Sequence, residues 1–126
     1  MDHTVVHFEI PASDTEKLKK FYSGVFGWKI EKGSEDMSGP MEYWLVKAGE
    51  DKEIGINGAI SGVSSFKGTI NTISVPSYEE AAKKIVDAGG KILSPKTAVP
   101  GVGYMSYCRD TEGNVFGIMQ TDINAK

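Results

Sequence analysis

The sequence contains one cysteine, Cys108, among its 126 residues. A single thiol cannot close a disulfide within the chain, and it cannot supply the paired cysteines of a structural zinc site. Neither sequence neighbour of Cys108 is a histidine that would activate it. We therefore interpret Cys108 as a buried, unreactive thiol rather than as a nucleophile.

Long apolar runs and basic clusters are also missing. No segment approaches the roughly 20 apolar residues that span a bilayer, and the opening MDHTVVHFEI lacks the basic and apolar regions of a signal peptide. The lysines are interleaved with acids, and the formal net charge is −3. Such a chain has no basic stripe to neutralise phosphates. We expect a cytoplasmic protein that binds neither nucleic acid nor membrane.

The first strand has one apolar and one polar side. Residues 4–10 alternate with a period of two, which places Val6, Phe8 and Ile10 on one side and leaves His7 and Glu9 on the other. Pro11 ends the strand because it lacks a backbone donor. The apolar side predicts a covering helix, and the polar side predicts a surface that faces a cavity.

A helix is predicted directly after this strand. Ser13 and Glu16 have the spacing of a capping box, and Gly27 suits the left-handed C-terminal position. The apolar residues recur with helical spacing and are expected to be core: Leu18, Phe21, Tyr22, Val25 and Phe26. Lys17, Lys19 and Lys20 fall largely off this stripe. Residues 28–31, 41–48 and 54–60 are predicted strands, with connections at 32–40, 49–52 and 61–67.

The same pattern returns in the second half. A strand at 69–75 ends at Pro76, 65 positions after Pro11, and Ser77 with Glu80 repeats the capping box. Further strands are predicted at 91–94, 104–109 and 114–120, with a Pro/Gly-rich loop at 95–103. We predict an α+β fold in one domain, 1–126, built from two tandem βαβββ modules at 1–62 and 68–126. The sheet faces opposite the helices would line a cavity between the modules.

Several motifs in this pattern are those of a known family. The segment Phe21–Trp28 (FYSGVFGW) resembles the F-Y-x-x-x-L-G-[FW] helix end of the glyoxalase / bleomycin-resistance / extradiol-dioxygenase superfamily, also called vicinal oxygen chelate. The hairpin Asp110–Asn114 (DTEGN) is similar to that family's D-x-x-G-[NY] signature. The resemblance runs from about Val5 to Gln120 and implies βαβββ modules around a U-shaped cavity, usually in a homodimer.

The resemblance also implies where metal ligands would stand. The family's ligands come from the lead strand and the last strand of each module. His7 occupies the first of these positions, but Thr72 stands at its counterpart, and the last-strand positions fall near Gly117 and near Asn57 or Gly58. A catalytic divalent metal needs about three imidazole or carboxylate ligands. We therefore expect no cofactor that the sequence can name, and a divalent metal at His7 only if a partial site exists.

The remaining candidates for a site are polar and aromatic. We assign His7 and Glu9 as the candidate catalytic pair. His7 either transfers a proton or is simply hydrogen-bonded, and Glu9 either acts as a base if it is desolvated or, as we favour, holds His7. The candidate ligand-binding residues are Asn57, Thr72, Ser74, Tyr104 and Tyr107. The sequence does not fix the strand registers. It therefore leaves open which of Tyr43 and Trp44, and which of Tyr104 and Tyr107, faces the cavity.

Three functional hypotheses remain. The first is a glyoxalase-like protein that binds a small molecule between the modules, with a degenerate metal triad and an unassigned reaction. The second is a metal-dependent lyase or dioxygenase of the glyoxalase I or extradiol type that uses His7. The third is a drug-sequestering protein of the bleomycin-resistance type. Whether the chain is an enzyme is left open, and its expected partners are a small molecule and a second copy of itself.

Overall fold

The computed structural model describes residues 2–33, 43–49, 55–62 and 66–126. These residues form two compact units, a first unit at His7–Thr69 and a second unit made of Met1–Val6 and Ile70–Lys126. The predicted α+β class is confirmed. The strand β1, Val5–Pro11, begins in the second unit and continues into the first.

The first unit follows the predicted order of elements. After β1 come the helix α1 and three strands: α1 Thr15–Phe26, β2 Lys29–Lys32, β3 Tyr43–Lys47 and β4 Gly58–Ser61. The strands lie in the order β2-β3-β4-β1, with β4 parallel to β1 and antiparallel to β3. The predicted connections at 32–40, 49–52 and 61–67 fall largely outside the described residues.

The second unit repeats the strand–helix order with one added strand. Its elements are β5 Ile70–Ser74, α2 Tyr78–Asp87, β6 Lys91–Ile92, β7 Thr97–Val99, β8 Gly103–Arg109 and β9 Val115–Thr121. The strands lie in the order β5-β9-β8-β6, and β7 pairs with β8. The prediction of a loop throughout 95–103 was wrong at β7, because the Pro/Gly content there did not prevent three residues from pairing with β8.

The start of α1 differs from the prediction. Asp14, not Ser13, is the N-cap, and its carboxylate accepts a hydrogen bond from the Lys17 backbone N–H at 3.0 Å. The carboxylate of an aspartate caps a helix as well as a serine hydroxyl does, so sequence spacing alone did not separate the two positions. The N-cap of α2 is Ser77, as predicted, and it accepts from the Glu80 N–H.

The apolar stripe of α1 is only partly buried. Phe21, Val25 and Phe26 are 53%, 59% and 61% exposed, so their assignment to the core was wrong. The helix instead directs Thr15 and the stem of Lys19 toward the sheet. A helical period tells which residues share a face, but it does not tell how much of that face the strands cover.

Aromatic rings pack against one another on the apolar side of the first unit. The rings of Tyr22 and Trp28 are stacked with centroids 4.6 Å apart, and Phe8 lies 5.8 Å from Trp28. Phe8 also explains a glycine on β4, since a Cβ at Gly58 would lie 2.6 Å from atoms of the Phe8 ring and against the Phe8 carbonyl oxygen. Gly58 therefore allows close packing of β4 on β1.

The core of the second unit lies beneath α2. It contains Val75, Tyr78, Cys108 and Ile118, all buried, and Cys108 has no exposed surface. The Tyr78 hydroxyl is hydrogen-bonded to the Ser106 hydroxyl inside this core. Within the described residues, neither helix is long and apolar enough to cross a membrane.

Candidate functional site

The imidazole of His7 contacts the hydroxyl of Tyr43. The distance between Nε2 of His7 and Oη of Tyr43 is 3.0 Å, which is a normal hydrogen-bond length. The two residues lie on β1 and β3, and both are partly buried. Tyr43 therefore joins His7 in the candidate site, although the sequence did not separate it from Trp44.

The strand register explains why these side chains meet. Ala59 on β4 pairs with Glu9 on one side and with Leu45 on the other. Ser61, two residues further along β4, pairs with Tyr43. Side chains directly opposite one another point to the same side of a sheet. We call this side, which carries His7, Glu9, Tyr43 and Ser61 together with the apolar Leu45 and Ala59, the polar face of the first unit.

Trp44 lies on the opposite side, under α1. The Nζ atom of Lys19 stands 3.2 Å from the centroid of the Trp44 ring, and it also bonds Glu16 at 2.9 Å. The Trp44 indole Nε1 is buried without a hydrogen-bond partner in the described residues. This cation–π contact holds the helix on the sheet and removes Trp44 from the candidate site.

Small residues on β4 make room between His7 and Tyr43. Ala59 and Ser61 occupy the central strand of the polar face and are 0% and 1% exposed. The line from Tyr43 on β3 to His7 on β1 crosses the position of Ala59. A larger side chain at this position would obstruct that path.

Burial favours the uncharged forms of His7 and Tyr43. Burial lowers the pKa of His7, so the imidazole is uncharged at neutral pH. Burial and, to a lesser extent, the charge of Glu9 raise the pKa of Tyr43 well above its ordinary value, so the phenol keeps its proton. Glu9 itself is only 7% exposed. The polar face thus presents an imidazole, a phenol and a buried carboxyl group.

The second unit has a comparable side with different chemistry. Thr72 pairs with Gly117, which pairs with Tyr107, and Ser74 pairs with Met119, which pairs with Met105. We call this side the hydroxyl face; it lies opposite α2 and carries Thr72, Ser74, Met105, Tyr107, Gly117 and Met119.

Two of the expected ligand-binding residues are placed elsewhere. Tyr104 pairs with Gln120 on the α2 side of its sheet, where the Lys96 ammonium lies 4.9 Å from its ring centroid. Asn57 accepts a hydrogen bond from the Ala48 backbone N–H through Oδ1 at 3.0 Å. The side-chain oxygen of Asn57 therefore accepts from a backbone N–H directly after β3.

The described residues do not fit the metal site that the family resemblance implies. They contain no cluster of three His, Cys, Asp or Glu side chains that could hold a metal ion. Phe8 pairs with Gly58 in the first module, and Ile73 pairs with Ile118 in the second. When these two pairs are aligned, His7 corresponds to Thr72 and Asn57 corresponds to Gly117. Nε2 of His7 is already engaged by Tyr43.

Most of the chain matches a known family model. Residues 4–118 match the Glyoxalase/Bleomycin resistance protein/Dioxygenase superfamily, and the chain belongs to that superfamily. A glyoxylase-like domain-containing protein of Didymella fabae is 28% identical over 113 residues, covering 87% of this chain and 88% of the relative. A Mycobacterium bovis protein named as a glyoxylase is 25% identical over 118 residues, covering 90% of this chain but only 44% of the relative. The chain thus spans less than half the length of that relative.

Solved structures share the fold at low sequence identity. A hypothetical protein of Bacillus halodurans has a TM-score of 0.70 at 16% identity, covering 100% of this chain and 99% of that one. A methylmalonyl-CoA epimerase of Streptomyces coelicolor has a TM-score of 0.69 at 12% identity, with the same coverage of 100% and 99%. At these identities the likeness establishes the fold and no particular reaction.

Proposed function

We propose that this chain binds a small organic molecule on the polar face of the first unit, through His7, Glu9 and Tyr43. The observation that carries the proposal is the hydrogen bond of 3.0 Å between Nε2 of His7 and the Tyr43 hydroxyl, on the side of the sheet turned away from α1. This side carries His7, Glu9 and Tyr43 beside Leu45 and Ala59, whereas a sheet side that only filled a core would be apolar throughout. Polar side chains held in a fixed arrangement are instead typical of a ligand site.

The chemistry of these groups defines what they can bind. A neutral imidazole and a neutral phenol exchange hydrogen bonds with carbonyl or hydroxyl oxygens, and a carboxylate accepts from ligand donors. If the ligand is a substrate, His7 and Glu9 are the proposed proton-transfer groups, with Tyr43 fixing the imidazole. Thr72, Ser74 and Tyr107 remain proposed ligand contacts on the hydroxyl face.

The proposal is tested by screening ligands against two matched histidine variants. Purified protein is heated with a panel of carbonyl, hydroxyl and aromatic compounds, and a ligand that binds the folded state raises the melting temperature. We expect His7→Asn to abolish the shift and His3→Asn to preserve it, because His3 is exposed near the start of the chain. A panel in which the His7 variant responds as the unmodified protein does would overturn the proposal.

A metal-dependent lyase or dioxygenase that uses His7 is the second candidate. Membership of the superfamily and the glyoxylase names of two relatives favour it. Elemental analysis and thermal shifts with nickel, zinc, iron and manganese test it. Stoichiometric metal that is lost in His7→Asn and kept in His3→Asn would support this candidate. Stabilisation by aromatic drugs without turnover would instead support sequestration of the bleomycin-resistance type.

The proposal includes a homodimer acting in the cytoplasm. The exposed apolar side chains Phe21, Val25 and Phe26 on α1 support self-association, because large apolar side chains grouped on a surface favour a partner. The single buried thiol is consistent with a reducing compartment. Light scattering after size-exclusion chromatography measures the mass, and a monomer at micromolar concentration would contradict the dimer.

A further inference from the structure

We propose that residues 95–99 form a strap beside the start of α2, and that a salt-sensitive contact of Lys96 holds this strap closed. We call this segment, which contains β7, the β7 strap. The inference goes beyond the proposed function, because it concerns the side of the second unit where α2 lies. It involves none of the residues that are proposed to contact a ligand.

Four side chains meet where the strap approaches α2. The Nζ atom of Lys96 lies 2.7 Å from Oε1 of Glu79, which stands in the first turn of α2. The same ammonium lies 5.3 Å from the ring centroid of Tyr78 and 4.9 Å from that of Tyr104. An ammonium within about 6 Å of a ring centroid is attracted by the face of the ring. Lys96 therefore binds to α2 and to β8 at the same time.

The backbone alone holds the strap only along one edge. Lys96 directly precedes β7, and the three residues of β7 pair with β8. In the part of the chain that the structure describes, β7 has no second neighbouring strand. A short edge strand with few buried contacts opens more readily than a strand between two neighbours. The contact of Lys96 with Glu79, 17 positions earlier in the sequence, adds a tertiary connection at this weak place.

Solvent reaches this contact. The side chains of Lys96 and Glu79 are 41% and 71% exposed. Lys19, which makes a similar ion pair and ring contact in the first unit, is only 17% exposed. Salt screens exposed charges, because the Debye length falls from about 30 Å at 0.01 M to about 3 Å at 1 M ionic strength. We therefore expect salt to weaken the contact of Lys96 more than that of Lys19.

The charge of Lys96 itself is constant near neutral pH. The hydrogen bond to Glu79 raises the pKa of Lys96 above its ordinary value, so the ammonium keeps its proton. Ionic strength, rather than acidity, is thus the condition that releases the strap under ordinary conditions.

The other end of β7 is held by uncharged groups. The Val102 N–H donates to the Val99 carbonyl at 2.9 Å, and the Gly101 N–H donates to the Ala125 carbonyl at 3.1 Å. Ala125 is only 4% exposed. Hydrogen bonds between neutral backbone groups depend far less on salt than an exposed ion pair does. The strap therefore opens from the Lys96 end and turns about the connection between β7 and β8.

Opening of the strap changes the surroundings of one core residue. Tyr78 is 6% exposed, and its hydroxyl is hydrogen-bonded to Ser106 within the core. Lys96 lies over the face of the Tyr78 ring. Release of Lys96 gives water access to this ring face and to the ring of Tyr104, while the hydroxyl of Tyr78 stays bonded. The strap thus controls access to an aromatic surface.

Amide hydrogen exchange of the ¹⁵N-labelled protein tests the proposal. Lys96→Met keeps an unbranched side chain and removes the charge, whereas Lys96→Arg keeps the charge. At low salt we expect the protected amides of Thr97–Val99 to exchange about threefold to tenfold faster in Lys96→Met and at an almost unchanged rate in Lys96→Arg. At about 1 M sodium chloride the unmodified protein should approach the rate of Lys96→Met. Lys83→Met is the control, because the ion pair of Lys83 with Asp87 lies within α2.

The inference is overturned if Thr97–Val99 exchange equally fast in the unmodified protein and in Lys96→Met at low salt. It is also overturned if the amide of Ile118, in β9, is accelerated by the same factor, since that result reports a general loss of stability. Glu79→Gln removes the ion pair from the α2 side and provides the test if Lys96→Met is unfolded. His7→Asn leaves the strap unchanged, so a failure of the proposed function would appear only in the histidine variants.

Discussion

The hydroxyl of Tyr43 lies 3.0 Å from Nε2 of His7, although β4 runs between the strands that carry the two residues. The contact spans the sheet because the intervening position is Ala59, whose methyl group is fully buried. A hydrogen bond of this kind contributes about 1 kcal/mol to folding and also fixes the orientation of the imidazole. The relationship between His7 and Tyr43 therefore organises the candidate site of the first unit.

Gly58 is predicted to be intolerant of substitution. Gly58→Ala should reduce the free energy of unfolding by about 1–3 kcal/mol, since the new methyl group would overlap the Phe8 ring and its carbonyl. Urea denaturation followed by tryptophan fluorescence measures the effect. Gly55→Ala is the matched control, because a Cβ at Gly55 meets nothing within 4 Å, and a change within about 0.5 kcal/mol is expected. Equal effects at the two glycines would contradict the packing of β4 on β1.

Cys108 is predicted to be inert in the folded protein. Burial raises the pKa of its thiol to about 11, and the residue has no exposed surface. Alkylation requires an accessible thiolate, so iodoacetamide at about pH 8 should modify the native protein far more slowly than the denatured protein. Mass spectrometry over time gives both rates. Rapid labelling under native conditions would show that the core beneath α2 opens readily.

Asp110 is predicted to make stability depend on acidity. Hydrogen bonds from Asn114, at its backbone N–H and its side-chain amide, lower the pKa of this carboxyl group. A folded-state pKa below the unfolded value means that the carboxylate stabilises the fold above the ordinary aspartate pKa. That contribution is lost as the pH falls through the lower, folded-state pKa.

The variant Asp110→Asn should therefore unfold more easily at pH 7 and lose part of its sensitivity to acid. Thermal unfolding between about pH 2 and 7 measures both changes. Asp87→Asn is the control, because the Asp87 carboxylate forms an exposed ion pair with Lys83 instead of a set of hydrogen bonds with a hairpin backbone. If both variants show the same acid dependence, the hairpin carboxylate does not act as described.

The repeat and the fold were accessible from the sequence because they depend on local signals. Pro11 is the last residue of β1, Pro76 lies two residues after the end of β5, and Ser77 caps its helix as expected. The face of α1 was harder to predict, since Lys19 falls off the apolar stripe although its ammonium nitrogen lies 3.2 Å from the centroid of the Trp44 ring. Apolar spacing alone placed Phe21 in the core, whereas it is more than half exposed.

The candidate site was predicted only in part because it depends on strand register. The alternation of β1 placed His7 and Glu9 on one side without any knowledge of neighbouring strands. The choice between Tyr43 and Trp44 required the pairing of β3 with β4, which no local pattern specifies. Tyr43 and Leu45 alternate with Trp44 and Val46 on β3, so both sides carry apolar residues and the sequence alone does not separate them.

The side-chain ¹⁵N signals of His7 test the account most directly. They are recorded in long-range ¹H–¹⁵N spectra of uniformly labelled protein, with His3→Asn used to simplify assignment. We predict that Tyr43→Phe shifts the His7 Nε2 signal, because the hydroxyl bonds that nitrogen, and that a ligand from the screen shifts the same signal in the unmodified protein. A His7 spectrum unchanged both by Tyr43→Phe and by saturating ligand would contradict the claim that His7 and Tyr43 form a ligand site.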